Sequence, residues 1–219
     1  CLNTDGIIMN YKNKLVRFTS NRVWRTYTGG KILDQLEQKA DPQDSHFPED
    51  WIGSTTQAVN SGREEVVEGI SHAIVGEENV RFDELLALDP NYFLGEQHTK
   101  AFDVNPMLLV KFLDSSVRLH FQAHPTAEFA REHLNSNHGK AEGYYILDVR
   151  DGTEPYVYVG FQHPPSRDAF KEMIETQNIS AMEECFEKVA VKPGDCLFIP
   201  GGSPHAIGEG ILMVEIMEP

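Results

Sequence analysis

Two short stretches of the chain carry side chains that could act on a common ligand. In residues 117–124 the apolar Val117, Leu119, Phe121 and Ala123 alternate with Arg118, His120, Gln122 and His124. On an extended strand this alternation puts imidazole, amide and imidazole in a row on one face. The Cα atoms of Gln122 and His124 would then lie roughly 6 to 7 Å apart, near enough for both side chains to reach one metal ion. A polar face turned to water gives the same pattern, so the pair alone does not choose between the two. Glu142 opens the next extended run, and an antiparallel neighbour would bring its carboxylate opposite the pair.

The second stretch covers residues 193–205. Pro193-Gly194-Asp195 predicts a turn, the apolar run from Cys196 to Ile199 a strand, and Pro200-Gly201-Gly202 a tight bend. Such a bend reverses the backbone and projects His205 inward.

The elements that must position these residues are mostly short strands. Up to about residue 76, brief apolar runs are broken by Gly29-Gly30, Asp41-Pro42, Phe47-Pro48 and Ser61-Gly62, which predicts strands and loops. Trp24 and Trp51 are the heaviest apolar side chains there, as core or pocket wall. Residues 80–88 have helical spacing and stop at Asp89-Pro90, a helix exit. Residues 107–114, MLLVKFLD, read as a buried strand, and residues 117–124 as a strand with one polar face. Residues 126–134 predict a short helix with Thr126 as its N-cap. Strands follow around Tyr144 to Leu147 and in residues 154–161, and Asp151-Gly152 between them suggests a hairpin. Residues 166–177 and 181–188 read as helical pieces, and the remainder as strand, turn and strand repeated. High strand count with helices as insertions predicts an antiparallel β-sandwich or small barrel.

The chain has 219 residues, 40% hydrophobic and 24% charged, which suits an ordinary globular chain able to bury a core without disulfides. A formal charge of −15 disfavours nucleic acid and anionic membranes as partners, and an anionic substrate would need a few placed cations. No apolar run approaches the length of a membrane helix, since Lys111 interrupts even MLLVKFL, and no signal peptide is visible. Cys1, Cys185 and Cys196 form no CxxC pair. That suits a reducing compartment, so a cytoplasmic location is expected. The chain begins with Cys1, which implies processing, a lipidated cysteine or a piece of a longer product.

The spacing Gly194, five residues, Pro200-Gly201-Gly202, two residues, His205 matches the second motif of the cupins. The first cupin motif is altered, with Gln122-x-His124 in place of His-x-His and Glu142 lying 18 residues beyond His124. In that alteration, and in LLVKFLD, FQAHP, GKAEGYYILD and VKPGDCLFIPGGSPHAIGEGILMVEI, the chain resembles the type I phosphomannose isomerases. Weaker similarity reaches RVW at Arg22 to Trp24 and EDWIGS at Glu49 to Ser54.

The resemblance implies a mainly β, cupin-type jelly-roll barrel with short helical insertions. It would be one domain over residues 1–219: N-terminal strands and loops in 1–76, a helical insertion in 77–105 and the metal-binding core in 106–219. It puts the zinc ligands on Gln122, His124, Glu142 and His205, and the active-site lysine on Lys140. Sugar phosphate contacts would fall to Lys140, His120 and Tyr144.

Two imidazoles, a carboxylate and an amide form a mixed N/O set suited to zinc and also to manganese, cobalt or iron. The implied reaction interconverts mannose 6-phosphate and fructose 6-phosphate through an enediol, with the ion stabilising the charge that develops on oxygen. An exposed lysine is the plain alternative for Lys140, pocket wall or ligand support for His120, and sheet packing for Tyr144 and Tyr145. His133, His138 and His163 are expected at the surface.

The family pattern has Trp where Tyr144 stands and commonly an acidic residue after His-Pro, where this chain has Thr126. It also continues past HAIGEG into a segment bearing an arginine, whereas this chain stops at Pro219. These departures keep two other readings open: an isomerase of a different sugar, and a noncatalytic sugar-binding cupin. A metal-dependent oxygenase is a third reading, against which the Gln ligand and the GKAE match argue.

Overall fold

A computed structural model describes residues 11, 12 and 14–218, so Cys1 lies outside the described residues. The chain divides into two compact units, one formed by residues 1–113 with 214–219 and the other by residues 114–213.

The first unit carries, in chain order, β1 (Arg17–Phe18), β2 (Arg22–Val23), α1 (Lys31–Leu36), β3 (Glu49–Ile52), β4 (His72–Val75), β5 (Glu78–Arg81), α2 (Phe82–Leu88), α3 (Pro90–Leu94), α4 (Glu96–Phe102) and β6 (Leu109–Asp114). β4 pairs antiparallel with both β1 and β5, and β3 pairs antiparallel with both β2 and β6. Tyr11, Ala73, Val75, Val80 and Leu85 form one core cluster, and Val23, Trp51, Ala58, Leu109 and Met217 another.

The helix expected over residues 80–88 starts only at Phe82, because Val80 is claimed by β5, where it pairs with Ala73. Pro90 ends that helix and then opens α3 from its first turn, where its missing N–H costs nothing. Helix α1 was not expected. It follows Gly30, whose φ of 96° is open to glycine, and Leu33 is its single buried residue, too little for a readable period.

Strand β6 alternates cleanly, so Lys111 falls on the buried face with Leu109 and Leu113. Its ammonium lies 3.1 Å from Glu215 and 3.5 Å from Glu49. Glu49 also takes Arg25 Nε at 3.0 Å, the Trp51 indole N–H at 2.7 Å and the Tyr27 hydroxyl. Buried charges persist only when paired in this way.

The second unit carries α5 (Ala127–His133), β7 (Glu142–Val149), β8 (Tyr156–Val159), α6 (Arg167–Glu175), α7 (Ile179–Glu183), β9 (Val189–Ala190), β10 (Cys196–Ile199), β11 (His205–Ile207) and β12 (Ile211–Met217), whose last residues belong to the first unit. β7 pairs antiparallel with β10, while β8 pairs antiparallel with both β11 and β9.

The Asp151-Gly152 turn therefore closes no hairpin between β7 and β8. The Arg150 N–H donates to the Gly210 carbonyl and the Gly208 N–H to the Tyr156 carbonyl. These bonds tie the two ends of the connection to the β11–β12 turn and send successive strands to different sheets, as in a jelly roll. Arg150 is fixed further by its guanidinium, 2.6 Å from the fully buried Asp114.

Residues 117–124 also differ from expectation. They form no regular strand, with one isolated bridge between Gln122 and His205. Leu119 is buried while Val117 is 41% exposed, so the alternation holds only in part. The N-cap at Thr126 is as expected, its hydroxyl accepting from the Phe129 N–H at 3.1 Å. Among the described residues no helix is long and apolar enough to cross a membrane.

Candidate metal centre

Three backbone segments of the second unit meet at the centre, and glycines let them approach. The segment through Gln122 is bonded to β11 on both sides of one residue pair: Gln122 N–H to the His205 carbonyl at 3.0 Å, and His205 N–H to the Gln122 carbonyl at 2.8 Å. Just beyond, the His124 carbonyl accepts from Gly202 N–H at 2.6 Å and the Pro125 carbonyl from Lys140 N–H at 3.0 Å. A Cβ at Gly201 would sit 2.6 Å from the Pro125 carbonyl oxygen, and one at Gly139 would sit 2.7 Å from the Ala127 nitrogen. Only hydrogen at these two positions lets the loops close around His124 to Thr126.

The result is a tight cluster. Ligand atoms of His124, Glu142 and His205 all lie within 4.8 Å of one another. His124 Nε2 is 2.9 Å from Glu142 Oε1, and His205 Nε2 is 3.3 Å from Oε2. Glu142 and His205 are buried, whereas the His124 side chain keeps 16% exposure, so the cluster opens on the His124 side.

His205 Nδ1 lies 2.9 Å from the Ser203 carbonyl oxygen. A carbonyl only accepts, so Nδ1 carries a proton and Nε2 is the ring nitrogen turned to the cluster. That Nε2 is buried and makes no hydrogen bond, with Glu142 Oε2 3.3 Å away. A buried ring nitrogen without a hydrogen-bond partner is costly. A cation held between His205, His124 and Glu142 would satisfy it, and the backbone bond that fixes the tautomer is the usual support of a metal-bound imidazole.

Lys140 lies two residues before the start of β7, and its ammonium lies 2.7 Å from Glu142 Oε1 and 2.9 Å from His124 Nε2. Positive charge is thus already drawn to two of the three ligand atoms. Burial by itself would raise the Glu142 pKa. The hydrogen bond with His124 and the charge of Lys140 outweigh that and hold the carboxyl far below the usual carboxylate range. A permanently ionised carboxylate beside two imidazoles suits a borderline divalent ion.

Gln122 is half-buried and joined to the cluster through its backbone pairing with His205. His120 is exposed, and with Gln122 it borders a cavity of about 430 Å³ whose walls are mainly apolar, among them Phe121, Phe161, Met182 and Phe186. Tyr144 was expected to meet a sugar. The residue is 2% exposed, and its hydroxyl donates to Glu142 Oε2 at 2.6 Å. Tyr145 points the other way and is 44% exposed. His133, His138 and His163 are exposed, as expected. Of the cysteines, Cys185 is buried and Cys196 exposed, both as free thiols.

Sequence reasoning missed two features: the support that Ser203 gives His205, and the buried charged group around Glu49 and Lys111. The first is a backbone contact with no sequence signature. The second had a signal, a lysine in phase with Leu109 and Leu113 on an alternating strand.

No family model matches the chain. The chain is 37% identical over 111 residues to mannose-6-phosphate isomerase ManA of Bacillus subtilis, a match covering 51% of this chain and 33% of that protein. It is 32% identical over 139 residues to mannose-6-phosphate isomerase of Streptococcus mutans, covering 64% of this chain and 40% of that one. The chain thus spans between a third and two fifths of the length of these curated relatives.

Among solved structures, the mannose 6-phosphate isomerase of Bacillus subtilis superposes with a TM-score of 0.60 at 20% identity, over 93% of this chain and 58% of that one. A zinc-bound mannose 6-phosphate isomerase superposes at 0.64 and 16% identity, over 93% of this chain and 68% of that one. The fold is therefore the one these isomerases share.

Proposed function

We propose that this chain carries the metal centre of an aldose-ketose isomerase that interconverts mannose 6-phosphate and fructose 6-phosphate, with zinc as the ion. The observation that carries the proposal is the buried, unpartnered Nε2 of His205 facing Glu142 and His124. The curated relatives named as mannose-6-phosphate isomerases, and the zinc-bound structure of like fold, support it. His124, Glu142 and His205 would hold the ion, with the Gln122 amide as the fourth donor.

The reaction moves a proton between C1 and C2 of the sugar through an enediol. When bound, the ion supplies Lewis acidity to the sugar oxygens at those carbons. Lys140 keeps an ammonium beside the ligand set, where it donates a hydrogen bond to the oxyanion that develops. In a chain of charge −15, this is the placed cation that an anionic sugar requires. His120, exposed beside Gln122, is assigned to the substrate-facing side. Burial of Glu142 and His205 excludes water from the inner face of the centre and keeps its charges strong. A cytoplasmic location belongs to this reading on the cysteine usage of the sequence, which has no CxxC pair.

The test is solvent exchange. Mannose 6-phosphate incubated in D2O with zinc-loaded protein should gain deuterium at C2, and the fructose 6-phosphate formed should carry it at C1, both read by NMR. Zinc-loaded, folded protein that catalyses neither exchange nor conversion would overturn the proposal.

A further inference from the structure

Glu142 divides its two oxygens between different partners. Oε1 faces His124 Nε2 at 2.9 Å and Lys140 Nζ at 2.7 Å. Oε2 faces His205 Nε2 at 3.3 Å and accepts from the Tyr144 hydroxyl at 2.6 Å. Tyr144 reaches it because residues i and i+2 of β7 share one face, and both side chains are buried on that face, each 2% exposed as a residue. The terminal torsion of a glutamate is broad and nearly two-fold, so an unsupported carboxylate swings freely about its last bond. In this chain the phenol stops that swing on the side where His205 waits.

We infer that Tyr144 is a positioning residue for the metal ligand Glu142: its hydroxyl locks the carboxylate so that one oxygen stays turned to each imidazole, and it does not contact the sugar. The inference rests on the metal-site reading above and extends it. Groups that orient a ligand by hydrogen bonding typically carry about 10–100-fold in metal affinity. The short O–H to carboxylate bond is of the strong, charge-assisted kind.

The experiment compares the full chain with Tyr144→Phe and Tyr144→Trp. Zinc affinity is measured by competition with a chromophoric chelator, and the ligand field by the visible spectrum of the cobalt-loaded proteins. Tyr144→Phe should bind zinc about 10–100-fold more weakly and shift the cobalt bands, while urea unfolding of the metal-free protein shows it folded. Tyr144→Trp keeps a ring N–H donor and should recover part of the affinity, which a packing role alone would not produce. It carries the test by its cobalt spectrum should the Phe protein not fold. Zinc affinity and cobalt spectra unchanged in both variants would overturn the positioning role while leaving the metal site intact. Wild-type protein that binds neither ion would instead overturn the metal reading, and this inference with it.

Discussion

His205 donates through Nδ1 to the carbonyl oxygen of Ser203, 2.9 Å away, and so turns a bare, buried Nε2 toward the carboxylate of Glu142. The ligand atoms of His124, Glu142 and His205 lie within 4.8 Å of one another around that nitrogen. Replacing His205 with Ala should abolish tight zinc binding, a larger loss than the roughly 10–100-fold expected of a residue that only supports a ligand. Metal content after desalting, read by elemental analysis, checks this. One ion per chain retained in H205A would mean that His205 is not a ligand.

Lys140 carries charge beside the cluster and stands outside the proposed ligand set. Lys140→Met keeps the side chain length and removes the ammonium. It should leave zinc stoichiometry unchanged and lower turnover by about 100-fold or more, the range of a lost proton-handling or oxyanion-stabilising group. Turnover at the wild-type level in K140M would remove the lysine from the chemistry.

The approach of the loops makes Gly201 a sensitive position. A methyl group there meets the Pro125 carbonyl oxygen at 2.6 Å, backbone that cannot yield cheaply. Gly201→Ala should cost about 1–3 kcal/mol of stability through overpacking and should weaken zinc binding by displacing His124. Thermal unfolding and zinc titration of G201A are the checks, and an unchanged pair of values would show that the loops have slack.

The buried charges of the first unit give a pH dependence whose sign is fixed. Burial would raise the Glu49 carboxyl, but the charges of Lys111 and Arg25, with hydrogen bonds from Tyr27 and Trp51, bring it from 4.5 to about 2. A carboxyl depressed on folding contributes stability that is present above its unfolded pKa and is lost as pH falls through the folded one. Unfolding free energy should therefore decline between about pH 4.5 and 2. Lys111→Met removes the buried ammonium that faces both Glu215 and Glu49, and should cost about 3–5 kcal/mol at neutral pH. Urea titrations at several pH values measure both. A stability that is flat with pH and indifferent to K111M would contradict the pairing.

Much of the centre was legible in the sequence because the residues sit in short, rigid motifs. Pro200-Gly201-Gly202 and His205 act through a bend whose glycines have no substitute, and Thr126 caps its helix through a strictly local bond. What was not legible depends on contacts distant in sequence. The Asp151-Gly152 turn looks like a hairpin tip, yet its flanks are bonded to Gly208 and Gly210, more than 50 residues on. Residues 117–124 alternate like a strand but meet only one bridge partner. Tyr144 could face a cavity or a carboxylate by the same period of two, and only the folded sheet decides that its hydroxyl ends on Glu142.

The most direct test of the central claim is coupled turnover of mannose 6-phosphate by zinc-loaded protein, with chelator added and zinc then restored. The account predicts fructose 6-phosphate formation that chelator abolishes and zinc recovers. Turnover indifferent to chelator, or none from folded protein with one zinc per chain, would contradict it.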